Sequence, residues 1–500
     1  MKRFVVLHPT DTVATATSDL AAGTTIDLGA RSLVLVQAIP FGHKFALELI
    51  PVGATVIKYG QAIGIATASI PPGAHVHTHN VASSRGRGDT AVQSRQIAAH
   101  KQESIPARNA DTDAVCTITG WRRSNGLFGI RNHVLVIPTS VCSSEVASRI
   151  AAAVPGAVAI PHQHGCCQVG ADQEQSIRLL IGIGANPNVG AVLVVSLGCE
   201  GITAARIRDG IAQTGTPVEA LVIQESGGTS ASITKGIGIL QRFVPMVAAL
   251  PKSTAAVSEL VLGLECGGSD ATSGLVANPA LGFASDRLVA VGGTSILSET
   301  TELIGAEHLL SPRCASPIVA KELLHMVEAC EQRALATGCD LRGSQPTPGN
   351  IAGGLSSIEE KSLGCIHKAG EAPILSTLEA GERPNSVGLH FMDTPGQDIE
   401  SITSMLAGGA TIIVFTTGRG TPTGSPIAPV IKTTANARTA QVMKENIDAD
   451  LSGVVDGNMS LDQAGDLLWR QMLAAANGQE TCAEKNGHRE FAITRIGPTF

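Results

Sequence analysis

The sequence is short of aromatic residues, of charge and of long apolar runs. Aromatics make up 3% of the 500 residues, with two tryptophans and one tyrosine, and charged residues only 16%. The 36 lysines and arginines are outnumbered by 43 acidic residues, for a formal charge of −7. A nucleic-acid binder needs a basic surface and stacking rings, so no nucleic-acid partner is expected. No apolar run approaches the roughly 20 residues of a membrane span, and the opening FVVL stops at His8 and Pro9, too short for a secretory signal core. A cytoplasmic protein without a membrane partner is expected. The 11 cysteines are odd in number and scattered, with no C-x-x-C pair, which argues against a disulfide framework and for free thiols or metal ligands. The G-x-G-x-x-G fingerprint and the Walker lysine are also missing, which disfavours a nicotinamide-dependent dehydrogenase.

Hydrophobic residues make up 43% of the chain, with 55 glycines and 25 prolines. That composition describes a compact, turn-rich α/β protein, and at about 150 residues per domain the length allows about three domains. Three phrases near the start repeat one pattern: LAAGTTI (20–26), IPVGATV (50–56) and IPPGAHV (70–76). In each, an apolar residue leads to a glycine that permits a tight turn, and a β-branched residue then opens a strand. Residues 1–81 are therefore expected to form a small β domain. The polar, aperiodic stretch 82–113 reads as a linker.

Runs of strand length follow: VLVIPTS (134–140), AVAIPH (157–162), AVLVVSLG (191–198), VEALVIQ (218–224) and ELVLGLE (259–265). They alternate with helical segments such as EVASRIAAA and TAARIRDGIAQ, the pattern of a doubly wound parallel sheet. Residues 114–268 are expected to form this Rossmann-like α/β domain. Residues 269–500 are expected to form a further C-terminal α/β catalytic domain, with strand candidates at 288–291, 387–391 and 411–415. In such sheets ligands bind at the carboxyl ends of strands. Those ends carry Cys142, the string HQHGCCQ with Cys166, the triplet Gly198-Cys199-Glu200, and Glu265-Cys266-Gly267-Gly268.

Several constellations can carry chemistry. His75, His77 and His79 stand at i, i+2 and i+4, and on a strand all three share one face, a spacing suited to Fe²⁺, Mn²⁺ or Zn²⁺. An exposed polar strand end is the competing reading. His43 and Lys44 follow a proline turn, and a lysine partly desolvated beside a cation has a lowered pKa and can act as a base. Cys142, Cys166, Cys199 and Cys266 come from four strand ends and could converge on iron or an iron–sulfur cluster; buried cysteines filling tight turns are the alternative. TTGRGTPTG (416–424) could cradle an anion while Arg419 reaches a carboxylate. Arg131 and Lys361 are further cations able to hold an acidic substrate.

Taken together and in order, IPFGHKFAL, VIKYGQAIG, HVHTHN, GIRN, SLGCE, LECGGSDATSG, EEKSLGC and FTTGRGTP resemble the altronate/galactarate dehydratase family of sugar-acid hydro-lyases, the altronate branch above all. The resemblance runs from about Phe4 to the C-terminus. It implies an N-terminal SAF-type, β-clip-like domain fused to a long α/β catalytic region. Relatives that divide these parts between two subunits eliminate sulfite from sulfolactate, so the fused layout favours the sugar-acid branch. Cys166 falls on the family's cysteine, whereas His164 and Cys167 depart from the family pattern. The implied reaction removes water from an aldonate such as D-altronate to give a 2-keto-3-deoxy acid, with a divalent metal, usually Fe²⁺. A proton α to a carboxylate is weakly acidic, so a cation must spread the developing charge. His75, His77 and His79 are then expected to hold the metal, Lys44 to take the C2 proton and His43, as imidazolium, to protonate the departing hydroxyl. Arg131, Lys361 and Arg419 are expected to bind the acid. The rival readings are an iron–sulfur hydro-lyase on the four cysteines, an aldarate such as galactarate as substrate, and a non-catalytic sugar-acid binder. Homo-oligomerisation is left open.

Overall fold

The computed structural model describes residues 3–29, 31–85, 116–341 and 344–500. Most of the linker expected over 82–113 lies outside the described residues. The chain is α/β, with a strand-rich N-terminal region followed by two parallel sheets.

The N-terminal region is built by one turn used four times. In Pro51 to Ala54, the Ala54 N–H donates to Pro51 O at 3.1 Å; Ala74 repeats this with Pro71 at 3.1 Å, Thr24 with Ala21 at 3.2 Å and His43 with Pro40 at 3.0 Å. The third residue of each turn is glycine at φ of 78 to 80°, the left-handed conformation a type II turn demands there. IPFGHKF (39–45) is thus a fourth copy beside the three that the sequence displays. The strands that follow these turns form sheets of four, three and two strands.

Four parallel strands come next, in the order Ala157–Ala159, His133–Pro138, Val189–Ser196, Val218–Val222. Both faces of this sheet are covered, which explains the unbroken apolar runs. Val134 and Val136 pack with Val146, Ile150, Leu240 and Phe243 on one face. Leu135 and Ile137 pack with Ile177, Leu180, Ile207 and Ile211 on the other. That second layer is continuous with Ile296, Ile413 and Phe415 of the neighbouring sheet. Each such side chain, once buried, contributes about 1.5–3 kcal/mol.

The larger sheet has seven parallel strands in the order Ile374–Leu378, Gly388–Met392, Thr294–Leu297, Val261–Cys266, Ile412–Thr416, Val430–Thr434, Ala449–Asp450. ELVLGLE therefore belongs here, at the sheet's centre, and not to the domain expected over 114–268. Its apolar run suits either buried sheet; the pairing of Val261–Cys266 with Thr294–Leu297 and Ile412–Thr416 decides the matter. The strand expected at 288–291 is instead the end of helix Asn278–Ala290, whose buried Ala280, Leu281, Ala284 and Leu288 recur every three to four residues. From Val261–Cys266 the chain builds outward in one direction and then returns to build the other side from Ile412–Thr416. The carboxyl ends of these two strands form a topological switch point, the place where ligand sites arise in open α/β sheets. Among the described residues, no helix is long and apolar enough to cross a membrane.

His162 ties the four-stranded sheet to its surroundings. Its Nε2–H donates to Pro138 O at 2.8 Å while Nδ1 accepts from the His164 N–H at 3.2 Å. Burial pushes its pKa from 6.5 down to about 4. In acid the unfolded chain takes up a proton that the folded chain refuses, so stability is whole above pH 6.5 and falls as pH drops toward 4, by about 3 kcal/mol for this group. The thermal midpoint measured from pH 7 to 4.5 should fall, and His162→Gln should flatten the slope. An unchanged slope in the variant would remove His162 as a source.

Candidate active site

The antiparallel pairing of Lys44–Ala46 with His75–Val76 sets Lys44 opposite Val76 and Phe45 opposite His75. One step further along this register, His43 faces His77, and His75 lies two residues away on the same face. The three rings meet accordingly: His43 and His77 have centroids 4.7 Å apart, His43 and His75 5.1 Å, His75 and His77 5.4 Å. One ring nitrogen of each lies within 4.8 Å of the others. Nδ1 of His77 is buried with no hydrogen-bond partner among the described residues. Burial, then the neighbouring Lys44 and His43, hold His77 down to about 3; burial and the neighbouring imidazoles hold His75 to about 4, and His43 is lowered as well. His43 Nδ1 and His75 Nε2 share a hydrogen bond at 3.0 Å, and three such imidazoles, one with an orphaned nitrogen, are a group that could hold a divalent transition metal.

This changes two sequence-based expectations. The strand ends at Val76, and Asn80 closes a turn by accepting from the His77 N–H and donating to His75 O, each at 2.9 Å. The alternation that would align His79 with His75 and His77 is lost, and His79 stands exposed with its ring 5.3 Å from that of His75. His43 takes its place in the cluster. Held neutral there, His43 is poorly suited to act as the imidazolium expected from the sequence.

Behind the imidazoles lies a buried ion triplet. Lys44 Nζ donates to Glu360 Oε2 at 2.8 Å and to Gly354 O at 2.7 Å, and Lys58 Nζ donates to Glu360 Oε1 at 2.8 Å. The Ser356 N–H and hydroxyl complete the cradle at 2.9 and 2.7 Å. None of the three charged side chains is more than 1% exposed. Burial outweighs the pull of Glu360 and lowers Lys44 to about 8, while Glu360 more than offsets burial at Lys58 and raises it. The two ammonium groups overcome burial at Glu360 and hold it well below the usual carboxylate range.

Glu360 sits on helix Ile358–Cys365, so the triplet joins the N-terminal region to the C-terminal one. A glycine contact makes the approach close enough. A Cβ on Gly354, at φ +98°, would lie 2.3 Å from Gly42 O, and one on Gly42 would lie 3.1 Å from Gly353 O. His43 Nε2 faces Ala352 O at 3.4 Å, at the end of helix Pro348–Ala352. Arg419 packs near Gly349 on that helix, 3.7 Å from where its Cβ would be, and about 4.5 Å of helix rise separates residues 349 and 352. Arg419 is exposed; its backbone N–H donates to Gly268 O at 2.9 Å, and its guanidinium has no partner among the described residues. Asp270, beside Gly353 and Gly418, caps the switch-point loop by accepting from Thr272 N–H and from Asn436 Nδ2, each at 2.8 Å.

The other candidates are placed differently. Arg131 is saturated: its guanidinium bonds Glu484 at 2.6 and 2.9 Å and the carbonyls of Ile130, Ala475 and Gln479. It staples helices in place and leaves no donor for a substrate. Lys361 is buried against Glu302 at 2.6 Å and Gln345. Cys142, Cys166 and Cys199 follow strands of the four-stranded sheet and are exposed or half-exposed, whereas Cys266 is buried in the seven-stranded one with its Sγ 3.5 Å from that of Cys365. The four cysteines expected to share a centre occupy two environments. Lys58, Asp270, Glu360 and Cys365 escaped sequence reasoning. Glu360 and Cys365 lie within EEKSLGC, where one helical turn aims consecutive residues at different neighbours.

Comparison with known proteins identifies the family. Residues 2–84 match the altronate/galactarate dehydratase SAF domain, 120–248 the D-galactarate dehydratase/altronate hydrolase second domain, and 257–499 the D-galactarate/altronate dehydratase C-terminal domain. The chain is 35% identical over 509 residues to altronate dehydratase of Escherichia coli, all of both chains being covered. It is 34% identical to the galactarate dehydratase (L-threo-forming) of the same organism, over 99% of this chain and 97% of the relative. It is 43% identical to the (2R)-sulfolactate sulfo-lyase subunit beta of Chromohalobacter salexigens over 76% of this chain and 97% of that subunit. The protein is thus a sugar-acid dehydratase. It belongs to the altronate/galactarate dehydratase family.

Removing one partner of a buried ion pair leaves the others uncompensated, at about 3–5 kcal/mol. Glu360→Gln should lower unfolding free energy by that order in denaturant titrations, and a loss below about 1 kcal/mol would contradict the role given to the triplet.

Proposed function

We propose that the chain dehydrates D-altronate to 2-dehydro-3-deoxy-D-gluconate, with Fe²⁺ held by His43, His75 and His77. The observation that carries this reading is the three-imidazole cluster with its orphaned His77 Nδ1, set beside Lys44. A divalent ion held there by His43, His75 and His77 would supply positive charge against the negative charge that develops as the C2 proton leaves. Mn²⁺ suits the same donors. Lys44, lowered to about 8, is the proton acceptor. The ammonium so formed returns the proton to the hydroxyl departing from C3, so that water leaves and the enol becomes the keto acid. Arg419, one short helix away from His43, binds the far end of the acid. Altronate is favoured over sulfolactate because altronate dehydratase is matched along the whole chain and the sulfo-lyase subunit along three quarters of it.

An anaerobic assay with Fe²⁺ and a panel of aldonates, aldarates and sulfolactate tests this reading. Expected is 2-keto-3-deoxy acid from altronate; faster turnover of galactarate would move the protein to the aldarate branch, and sulfite from sulfolactate alone would overturn the dehydration. Lys44→Ala should lower kcat by ~10² or more and abolish exchange of the C2 proton with solvent. Near-normal exchange would remove Lys44 from the proton step. His77→Ala should lower both bound iron and rate, and unchanged iron would place the metal elsewhere.

A further inference from the structure

A second group of metal-binding side chains lies inside the seven-stranded domain, away from the imidazoles. Cys266 ends the central strand, Glu299 and Glu302 follow strand Thr294–Leu297, and Cys365 ends helix Ile358–Cys365. All four are buried, none more than 2% exposed, and one donor atom from each lies within 4.8 Å of the other three. Cys266 Sγ is 2.8 Å from Glu302 Oε2 and 3.5 Å from Cys365 Sγ. Two zinc–sulfur bonds of about 2.3 Å at a tetrahedral angle span about 3.8 Å, so the two sulfurs already stand at nearly the separation a shared ion imposes. Glu299 is fully buried, yet its Oε1 has no hydrogen-bond partner among the described residues. Its backbone is held at φ +69°, a left-handed conformation that costs a non-glycine residue of order 1 kcal/mol. Glu265, whose Oε1 is likewise without a partner among the described residues, and Asp398 stand beside it.

The charges around the group also balance for a dication. Lys368 contacts Glu299 and lies 3.4 Å from Cys266 Sγ, and Lys361 contacts Glu302 at 2.6 Å. With both thiols protonated, two carboxylates face two ammonium groups and these six side chains are neutral, with Glu265 and Asp398, whose carboxyls burial raises, standing beside Glu299. With a divalent ion bound and both thiols ionised, four anionic ligands face one dication and two ammonium groups, and the set is again neutral. Metal uptake is then an exchange of one dication for two thiol protons released to solvent, and it adds no net buried charge.

We propose that Cys266, Glu299, Glu302 and Cys365 form a second metal site, for a divalent ion with affinity for sulfur such as Zn²⁺ or Fe²⁺, independent of the His43/His75/His77 centre. Two thiolates and two carboxylates make a closed four-ligand set with no open position, which suits a structural ion fastening the central strand to helix Ile358–Cys365. Glu360 is on that same helix, so the ion also fixes the carboxylate that Lys44 and Lys58 grip.

Cobalt(II) reports the site without reference to activity, since a thiolate-bound cobalt ion gives a sulfur-to-metal charge-transfer absorption. Full-length protein from cobalt-supplemented anaerobic cultures, and metal-free protein titrated with cobalt, should show this band. Two protons should be released per ion bound. The band should disappear in Cys365→Ser and in Glu302→Gln, the second variant covering the case in which the first fails to fold. It should persist in His77→Ala and in Cys199→Ser. Absence of the band in the folded wild-type protein, its survival in Cys365→Ser, or its loss in Cys199→Ser would each overturn the assignment.

Discussion

One carboxylate holds the two halves of the site together. Glu360 is buried on a helix of the C-terminal region, and two of its partners, Lys44 and Lys58, come from the N-terminal strands. Three such charges survive away from water only because each meets another at 2.8 Å and the remaining oxygen lone pairs meet Ser356. The geometry that satisfies them also fixes the strand bearing His43 against the Gly353–Gly354 turn. The imidazole cluster is therefore a consequence of docking: its members belong to one small sheet, and its position over the switch point depends on the ion triplet behind it.

Helix Ile358–Cys365 acts as the hub. Glu359 accepts from the Ser83 hydroxyl at 2.6 Å and from Ser84 N–H at 2.7 Å, Glu360 grips the two lysines, Lys361 pairs with Glu302, and Cys365 meets Cys266. Consecutive residues of a helix point about 100° apart, so a short polar helix buried on all sides can serve several neighbours at once. All eight of its residues are buried, a composition affordable only because each charge has a partner. Such a helix couples the position of Lys44 to the packing of the central sheet.

Much of this was legible in the sequence. The glycine-turn phrases reported the N-terminal β region because a type II turn needs glycine at one fixed place, and most apolar runs between 134 and 224 became parallel strands because a sheet covered on both faces demands continuous hydrophobicity. The assignment of ELVLGLE was not legible, since strands of both buried sheets look alike until pairing is known. The participation of His43 was hidden for a related reason: it depends on a register between two strands separated by about 30 residues. A fourth copy of the turn at IPFG was the available signal, as two strands launched from equivalent turns bring His43 and His77 opposite one another. His79 failed because Asn80 closes a turn that simple alternation does not anticipate. Arg131 and Lys361 looked like free cations in the sequence and are paired in the fold, and only Arg419 among these three keeps an uncommitted guanidinium.

The proposed reaction centre lies on the imidazoles that the ion triplet presses against the C-terminal domain. Anomalous diffraction at the iron edge from anaerobically grown, Fe²⁺-loaded crystals of the active full-length protein tests it most directly. A peak within bonding distance of His43, His75 and His77 is the expected result. An active, iron-loaded crystal with no peak at those three residues would contradict it.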